Sequence, residues 1–297
     1  MYDIIIVGAG PAGLTAAIYA LRANKKVLIF EAKTYGGQIV NAAVVENYPA
    51  IEQITGFDYA TNLYNQVKHL GGEFKFETVV KVTEDKEVIT ASGTYKGRAI
   101  ILATGAENRK LNIDRESEFV GNGVSYCASC DGNFYKGKTV AVVGGGNTAL
   151  EDADYLSNIA KKVYLIHRRE SFRGEAKYLE KLKKKENVEL ILNSNIVKLN
   201  GDKKLDSIDV KDNNEIITNI KVDGLFIAVG QEPKNELFSN VVTLNKMGYI
   251  ESNDGVHTNV DGIYVAGDAR VKFLRQLTTA VSDGSVAATM AIREMKK

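Results

Sequence analysis

Short runs of consecutive apolar residues, typical of strands buried in a parallel sheet, open the same pattern of elements twice. In the first pattern, a strand over residues 3–7 leads through a glycine-rich turn to a helix over 13–24 and a strand over 27–31. In the second, the same order of strand, turn, helix and strand occupies residues 139–167. The pattern therefore predicts two βαβ units, one at the start of the chain and one in its middle.

The segments between and after these units are shorter and mixed in character. The pattern predicts a helix over 58–70 that stops at Gly71-Gly72, and a solvated helix face at 177–186. The other predicted elements are β-like runs at 74–82, 86–91 and 94–97, strands at 99–103 and 262–268, short strands within 189–230 and a final helix over 277–294.

The positions of the two βαβ units indicate how the chain divides into domains. A chain of 297 residues ordinarily forms about two domains. Because the first unit opens the chain and the acidic turn Gly267-Asp268 comes late, the economical arrangement is one domain interrupted by the other. We expect an α/β fold of two Rossmann-like dinucleotide-binding domains of the three-layer ββα type, the outer one at 1–111 and 241–297 and the inserted one at 112–240.

Each βαβ unit carries a glycine-rich turn where its helix begins. Gly8-Ala9-Gly10-Pro11-Ala12-Gly13 has the form G-x-G-x-x-G, and Gly144-Gly145-Gly146-Asn147-Thr148-Ala149 has the variant G-x-G-x-x-A. Such glycines permit a tight turn and the close approach of a pyrophosphate to the helix N-terminus. A glycine turn without a ligand is the alternative, but the strand before and the helix after each turn favour nucleotide binding.

The two units differ in what ends their second strand. Glu31 stands twenty-three residues after Gly8, whereas His167 stands twenty-three residues after Gly144 and is followed by Arg168, Arg169 and Arg173. A carboxylate at this place accepts hydrogen bonds from ribose hydroxyls, and arginines there match a 2′-phosphate. A plain surface carboxylate and a solvated basic patch are the alternatives. The pattern predicts two different nucleotides, the second of them NADPH.

The bulk composition limits the classes of function. Apolar residues make up 44% of the chain and charged residues 25%, as in ordinary globular proteins, and the formal net charge of +1 argues against a general role in binding nucleic acid. No apolar run approaches the roughly 20 residues that span a bilayer. The chain enters a strand almost at once and has two cysteines, so we expect a cytoplasmic protein without a membrane partner.

The two cysteines stand together as Cys127-Ala128-Ser129-Cys130. A tetrahedral zinc site would need two further ligands, and no histidine lies near in the sequence, so we expect no metal. An inert pair of thiols is possible, but a reversible dithiol and disulfide is the leading interpretation. Asp131 follows directly; its carboxyl group could move a proton of a redox thiol, or cap a turn with Gly132.

Taken together, these motifs resemble the low-molecular-weight, bacterial-type NADPH-dependent thioredoxin reductases. The resemblance covers essentially the whole chain, in order, although the chain is somewhat shorter than many members at its C-terminus and has Gly174 where a small residue such as alanine is common. The motifs that carry it are the Cys127–Gly132 block, Gly144–Ala149, His167–Arg173, Gly36-Gly37-Gln38, Glu46-Asn47-Tyr48-Pro49, Ala103-Thr104-Gly105, Gly267-Asp268 and Arg275-Gln276.

This resemblance implies FAD in the outer domain, NADPH in the inserted domain, a homodimer, and thioredoxin or a related small redoxin as partner. The residues that it assigns to FAD are Gly8, Gly10, Ala12, Gly13, Glu31, Gln38, Asn47, Thr104, Gly105, Gly267, Asp268, Arg275 and Gln276. The residues that it assigns to NADPH are Gly144, Gly146, Asn147, Thr148, Ala149, His167, Arg168, Arg169 and Arg173.

The resemblance also implies a route for the electrons. Hydride would pass from NADPH to FAD, then two electrons to the disulfide of Cys127 and Cys130, and dithiol exchange would reduce thioredoxin. In the family the second cysteine faces the flavin, the first attacks the protein disulfide, and the aspartate corresponding to Asp131 handles protons. Because nicotinamide and disulfide would both lie in the inserted domain, we expect that domain to rotate about connections near 112 and 240.

Other functions are compatible with parts of this pattern. A ferredoxin-driven thioredoxin reductase would lack the second nucleotide motif, and a flavin NADP reductase of similar fold would lack the cysteine pair. Large disulfide reductases of the glutathione type place their cysteines near the first nucleotide unit and carry an added dimerisation domain. A non-enzymatic flavoprotein that senses redox state through Cys127 and Cys130 stays open, and flavin bleaching by NADPH together with thioredoxin turnover would separate it from an enzyme.

Overall fold

The computed structural model describes residues 1–42, 44–253 and 255–295, and the chain divides into two compact units. The outer unit comprises Met1–Glu107 and Glu232–Lys297, and the inserted unit comprises Asn108–Gln231. The compact units divide after Glu107 and after Gln231, a few residues before the predicted domain borders at 111 and 240. The predicted borders therefore stay a proposal.

The described residues contain seven α-helices and seventeen strands. The helices are α1 (Pro11–Arg22), α2 (Gly56–His69), α3 (Glu116–Phe119), α4 (Ala128–Asp131), α5 (Asn147–Ser157), α6 (Ala176–Lys183) and α7 (Leu277–Glu294). The strands of the outer unit are β1 (Tyr2–Val7), β2 (Val27–Phe30), β3 (Glu73–Lys75), β4 (Val79–Val82), β5 (Glu87–Thr90), β6 (Gly93–Leu102) and β17 (Ile263–Val265). The strands of the inserted unit are β8 (Val124–Ser125), β9 (Thr139–Gly144), β10 (Lys162–Ile166), β11 (Val188–Ile191), β12 (Ser194–Gly201), β13 (Leu205–Asp212), β14 (Ile217–Lys221) and β15 (Gly224–Ala228). A further pair, β7 (Ala106–Asn108) and β16 (Gln231–Pro233), contains the two points where the chain passes between the units.

A seven-stranded sheet forms the centre of the outer unit, with strand order β3-β2-β1-β6-β5-β4 and β17 paired to β6. β1, β2, β3, β17 and the C-terminal half of β6 run parallel, whereas β5 runs antiparallel to its two neighbours, β6 and β4. Ile4, Ile5 and Ile6 in β1 are completely buried, because each face of this central strand is covered by another layer. α1 and α7 pack on one face, and β4 and β5 curl over the other, which confirms the expected ββα layering.

The inserted unit repeats this architecture on a smaller scale. Its parallel sheet has the order β11-β10-β9-β15-β8, and a three-stranded antiparallel sheet has the order β12-β13-β14. The apolar core on one face of the parallel sheet includes α5 and α6, and the core on the other face includes the antiparallel strands. The predicted α/β class with two Rossmann-like folds is therefore confirmed.

Some predicted element borders were wrong. The run at 94–97 and the strand at 99–103 are parts of one long strand, β6, whose two halves pair with different neighbours. The helix predicted at 58–70 begins at Gly56, because Thr55 caps it by accepting a hydrogen bond from the backbone N–H of Asp58. The final helix has the predicted bounds. In the part of the chain that the structure describes, none of the helices is long and apolar enough to cross a membrane.

Candidate active site

The first glycine turn joins β1 to α1 and leaves one side open. Gly8 has a φ of +107°, and a Cβ there would collide with the backbone oxygen of Ala103. At Gly10 the one atom of the described residues that a Cβ would meet within 4 Å is the Cα of Gly37, 3.9 Å away. No side chain among the described residues caps the N-terminus of α1. The turn therefore offers backbone N–H groups and space to a phosphate group.

The Glu31 carboxylate follows β2 and supports the same turn. Its Oε2 accepts a hydrogen bond from the backbone N–H of Ala9 at 2.9 Å, and its Oε1 accepts one from Lys33 N at 2.9 Å. Each carboxylate oxygen has a second lone pair. Glu31 can thus brace the turn and still accept a hydrogen bond from a ribose hydroxyl.

Asn235, a fully buried residue, joins the end of β6 to the 3-10 turn Gly267–Ala269. Thr104 Oγ1 donates to Asn235 Oδ1 at 2.9 Å. Asn235 Nδ2 donates to the backbone oxygens of Gly248 at 3.0 Å and Ala269 at 2.9 Å. Sequence reasoning missed Asn235, which lies in no motif, yet this side chain holds together two segments that carry candidate cofactor residues.

Asp268, within that turn, has a buried carboxylate oxygen, Oδ1, that receives no hydrogen bond from the described residues. Burial raises the pKa of Asp268, while the positive charges of Lys272 and Arg275 partly lower it. The Nε of Arg275 is also buried without a hydrogen-bond partner among the described residues, and its guanidinium lies 4.0 Å from the ring centre of Tyr249. Because buried polar atoms are nearly always paired, both atoms fit a polar ligand that binds here.

Asp283 of α7 binds the backbone of the turn at Gly267. Its Oδ2 accepts hydrogen bonds from Gly267 N at 3.0 Å and from Lys272 Nζ at 2.9 Å, and its Oδ1 accepts one from Arg270 Nη1 at 3.2 Å. All three charged side chains are largely buried. The sequence analysis did not predict this ion cluster. Arg270 and Lys272 lie between the motifs Gly267-Asp268 and Arg275-Gln276, and Asp283 follows the second motif.

Two further candidate residues meet in the outer unit although they are far apart in sequence. Asn47 Nδ2 donates to Gln276 Oε1 at 3.3 Å, and Gln276 is the N-cap residue of α7, where its backbone N–H donates to Thr279 Oγ1. Gln38 is exposed on the 3-10 helix Gly37–Asn41. The outer unit therefore brings the FAD candidates other than Gln38 to the ends of β1, β2, β6 and β17 and the start of α7.

The second glycine turn, between β9 and α5, has the same construction. A Cβ on Gly144 would lie 2.7 Å from the Cβ of Ala149 and against the backbone oxygen of Ala228. In the described part of the chain, a Cβ on Gly146 would meet no atom within 4 Å, and no side chain caps α5. This turn also has room for a phosphate group at a helix N-terminus.

His167 is buried behind this turn rather than facing solvent. Its ring fills the space where a Cβ of Gly145 would lie, stacks on Phe172 with ring centres 4.8 Å apart, and places Nε2 3.1 Å from Ser171 O. Burial lowers the pKa of His167, and the hydrogen bond with Ser171 O opposes that shift. The positive charges of Arg168, Arg169 and Arg173 also lower the pKa, and the buried ring supports the turn by packing behind it.

Arg168, Arg169 and Arg173 are exposed, and their guanidinium groups have no hydrogen bond or ion pair with the described residues. The segment that carries Arg173 is fastened to the glycine turn, because the N–H groups of Arg173 and Gly174 donate to Gly145 O at 2.8 and 3.2 Å. Asn147 and Glu175 add a reciprocal pair, Asn147 Nδ2 to Glu175 Oε1 at 3.2 Å and Glu175 N to Asn147 Oδ1 at 2.8 Å. These contacts hold a basic segment beside a phosphate-sized opening.

Because Gly174 has no side chain, the segment that carries Arg173 can lie directly against the second glycine turn. A Cβ there would lie 3.0 Å from Gly146 C, 3.1 Å from Asn147 N and 2.5 Å from a Leu150 methyl group. The family resemblance showed that alanine is more common at the position of Gly174, but it did not predict this contact. Glu175 was missed altogether, because its partner Asn147 lies 28 residues earlier in the chain.

Cys127 and Cys130 form a disulfide in the inserted unit, at the start of the short helix α4, with Cα atoms 5.3 Å apart. Both cysteines are partly exposed, so a protein partner can reach the pair. Ser129 Oγ lies 3.4 Å from Cys127 Sγ. α4 packs against α5, where Tyr155 lies beside Gly132.

Asp131 lies beside the disulfide and is bound by a buried serine. Its Oδ2 accepts a hydrogen bond of 2.6 Å from Ser125 Oγ, and its carboxylate does not cap the turn at Gly132. Burial raises the pKa of Asp131, and the bond from Ser125 partly lowers it. Burial and the charges of Asp131 and Asp223 raise the pKa of Tyr135 to about 12. Asp131 is therefore a carboxyl group with a raised pKa in the same turn as the two sulfur atoms.

The residues fit the two nucleotides that the sequence predicted. In the outer unit, the open turn at Gly10 and the unpaired oxygen of Asp268 suit the pyrophosphate and hydroxyl groups of FAD. In the inserted unit, the open turn at Gly146 and the unpaired arginines suit the pyrophosphate and 2′-phosphate of NADPH. The individual roles of these residues remain proposals.

Comparison with known proteins gives consistent matches over the full length of the chain. Residues 2–284 match the family model of the pyridine nucleotide-disulphide oxidoreductases. The chain is 43% identical to a thioredoxin reductase of Listeria monocytogenes, over 100% of this chain and 96% of that protein. It is 41% identical to the thioredoxin reductase of Bacillus subtilis, over 97% and 93%. The crystal structure of the thioredoxin reductase of Streptococcus pyogenes is similar with a TM-score of 0.95, at 35% identity and with 100% and 98% coverage.

Proposed function

The chain belongs to the pyridine nucleotide-disulphide oxidoreductase family, and we propose that within it this protein is an NADPH-dependent thioredoxin-disulfide reductase with bound FAD. The observation that carries this proposal is the Cys127–Cys130 disulfide in the same unit as the arginine-flanked glycine turn. The full-length similarity to thioredoxin reductases favours it over the ferredoxin-driven, flavin NADP reductase and sensor alternatives.

The net reaction takes one NADPH, one proton and one thioredoxin disulfide to NADP⁺ and two thioredoxin thiols. FAD, when bound, would supply the hydride and electron-pair chemistry that side chains lack. The Gly8–Gly13 turn and Glu31 bind and orient this cofactor, and Asp268 accepts hydrogen bonds from it. The Gly144–Ala149 turn binds NADPH, and Arg168, Arg169 and Arg173 bind its 2′-phosphate.

The cysteine pair transfers the electrons to the partner. In the reduced enzyme the Cys127 thiolate attacks the thioredoxin disulfide, forms a mixed disulfide and releases one thioredoxin thiolate. Cys130 then attacks Cys127, which re-forms the intramolecular disulfide and releases the second thioredoxin thiolate. In this proposal Asp131, whose pKa is raised by burial, accepts a proton from one of these thiols and returns it to a departing thiolate.

Three further features belong to this proposal. The physiological partner is thioredoxin or a small redoxin of the same type, and the enzyme acts as a homodimer in the cytoplasm, as the family resemblance and the low cysteine content suggest. The inserted domain rotates relative to the outer domain during turnover, about the connections near 112 and 240. Turnover that persisted after the two domains had been crosslinked would contradict the rotation.

The experiment has two stages, each with the purified yellow protein. Anaerobic titration with NADPH should bleach the flavin absorbance, and addition of thioredoxin with a colorimetric disulfide should then give continuous turnover. Cys130→Ser should still be bleached by NADPH but should lose at least about a hundredfold in thioredoxin reduction, since the disulfide can no longer form. Bleaching without thioredoxin turnover in the natural protein would identify a sensor, and the absence of bleaching by NADPH would contradict the proposal as a whole.

A further inference from the structure

Ser125, the last residue of β8, lies next to the redox pair but belongs to none of the sequence motifs. Its side chain is buried, and its Oγ contacts both halves of the Cys127–Asp131 turn. The Oγ accepts a hydrogen bond from the backbone N–H of Cys127 at 3.0 Å and donates to Asp131 Oδ2 at 2.6 Å. One hydroxyl group thus connects the backbone of the attacking cysteine to the carboxylate that handles protons.

The hydroxyl has only one proton to donate. Cys127 O lies 3.3 Å from Ser125 Oγ, but the Asp131 oxygen is closer, and a bond to a charged acceptor is the stronger of the two. Cys127 O already accepts the backbone N–H of Asp131 at 3.1 Å. Ser125 is also the side chain whose hydrogen bond acts on the pKa of the Asp131 carboxyl group.

We propose that Ser125 is a positioning residue of the dithiol–disulfide exchange, which holds the Asp131 carboxyl group beside the sulfur atoms and stabilises its charged form. This inference rests on the proposed function. It assigns to Ser125 a role that this residue exerts through Asp131. Without the hydroxyl, the carboxyl group loses its fixed orientation, and the backbone N–H of Cys127 loses its acceptor.

The effect on proton transfer has a definite direction. Ser125 donates to the ionised form of Asp131, so its hydrogen bond lowers the pKa of that carboxyl group against the opposing effect of burial. Removal of the hydroxyl raises the pKa of Asp131 further. Any limb of the pH–rate profile that Asp131 sets therefore moves to higher pH, whether the residue acts as an acid or as a base.

Several other titratable groups surround Asp131, and each has to be distinguished from it. Cys127 and Cys130 belong to the same turn, and Tyr135 follows on the 3-10 helix Gly132–Tyr135. α5 packs on α4 and brings Tyr155 to Gly132, and it also carries Glu151, Asp152 and Asp154. Asp223 acts on Tyr135 through its charge. Asp131→Asn removes the carboxyl group alone, and it should delete the limb that Ser125 controls.

The test compares Ser125→Ala with the natural flavoprotein over pH 5–9. We expect the Asp131 limb of the kcat profile for thioredoxin reduction to move up by about one pH unit, which corresponds to the loss of one hydrogen bond to a charged group. The kcat near pH 7 should change several-fold, while the KM for thioredoxin and the rate of flavin bleaching by NADPH stay the same. In the Asp131→Asn background, the serine replacement should have no further effect on the profile.

Ser194→Ala is the matched control, because Ser194 is equally buried in the same unit and its hydroxyl donates only to Leu192 O, at 2.8 Å. An unshifted limb in Ser125→Ala, or an equal shift in Ser194→Ala, would overturn the inference. If the alanine variant does not fold, Ser125→Gly removes the same hydroxyl and decides by the same criteria. Loss of bleaching by NADPH in the natural protein would instead refute the proposed function, so the two failures remain distinct.

Discussion

Thr104 donates a hydrogen bond of 2.9 Å to Asn235, which lies 131 residues later in the chain and is fully buried. Through its other side-chain atom, Asn235 holds the backbone of Gly248 and Ala269. Thr104 follows β6, and Ala269 belongs to the turn that contains Asp268, so one amide sets the spacing of two candidate FAD-binding segments.

Asn235→Ala should destabilise the outer unit and weaken FAD binding. The change leaves Gly248 O without its donor and Thr104 Oγ1 without its acceptor, at a cost of about 1–3 kcal/mol for each unpaired buried group. Ala269 O loses one of two donors and keeps the backbone N–H of Ile250 at 2.9 Å. We expect a loss of roughly 2–4 kcal/mol in the free energy of unfolding, measured by urea denaturation, and faster FAD release measured by fluorescence. Asn214→Ala, at an exposed position, is the control; equal stability of the two variants would contradict the role of Asn235.

Asp283→Asn should loosen the turn that carries Asp268. The buried cations Arg270 and Lys272 would lose their charged partner, and breaking such a pair typically costs about 3–5 kcal/mol. We expect a lower unfolding temperature and a dissociation constant for FAD raised at least about tenfold, measured by titration of the deflavinated protein. Asp85→Asn, on the surface of the same unit, should leave both quantities unchanged; unchanged FAD affinity in Asp283→Asn would show that the cluster serves the fold alone.

Replacement of Arg168 and Arg169 by alanine should convert a preference for NADPH into near indifference between NADPH and NADH. Each arginine bond to a phosphate contributes roughly 1.5–3 kcal/mol, so the KM for NADPH should rise about tenfold to a hundredfold or more. The KM for NADH should change less than about threefold, because NADH lacks the 2′-phosphate. Lys184→Ala, an exposed cation on the same unit, is the control, and parallel losses with both coenzymes would rule out a phosphate contact.

Asp152 of α5 should make the stability of the protein depend on pH. Burial, and then the charge of Glu151, raise the pKa of this carboxyl group to about 7. The folded state therefore binds a proton that the unfolded state releases near pH 4, and stability falls as the pH rises from about 4 to about 7. Asp152→Asn removes this dependence.

At pH 8 Asp152→Asn should be more stable than the natural protein by roughly 1–3 kcal/mol, and at pH 4 the two should be nearly equal. Urea denaturation at several pH values measures the difference. Asp114→Asn, at an exposed site, should reproduce the pH dependence of the natural protein. A constant difference between Asp152→Asn and the natural protein across this range would refute the raised pKa.

The sequence alone determined the elements whose causes are local. Apolar runs predicted β1, β2, β9 and β10, because a strand buried on both faces needs apolar side chains at every position. The glycine turns were readable because Gly8 has to avoid the backbone of Ala103 in a tight turn between strand and helix. The closing helix was placed correctly, whereas β6 was divided in two because it changes partners halfway along its length.

The tertiary structure alone decided which distant residues touch. The bonds of Asn235 to Thr104, of Asp283 to Gly267 and of Glu175 to Asn147 join segments between 16 and 131 residues apart. Ser125 lies only six residues before Asp131, yet their hydrogen bond forms only when β8 and α4 are folded, so the sequence did not predict it. A contact of this kind depends on strand order and on burial. These determine which groups a hydroxyl or a carboxylate contacts, and neither can be predicted from the residues next to it in the sequence.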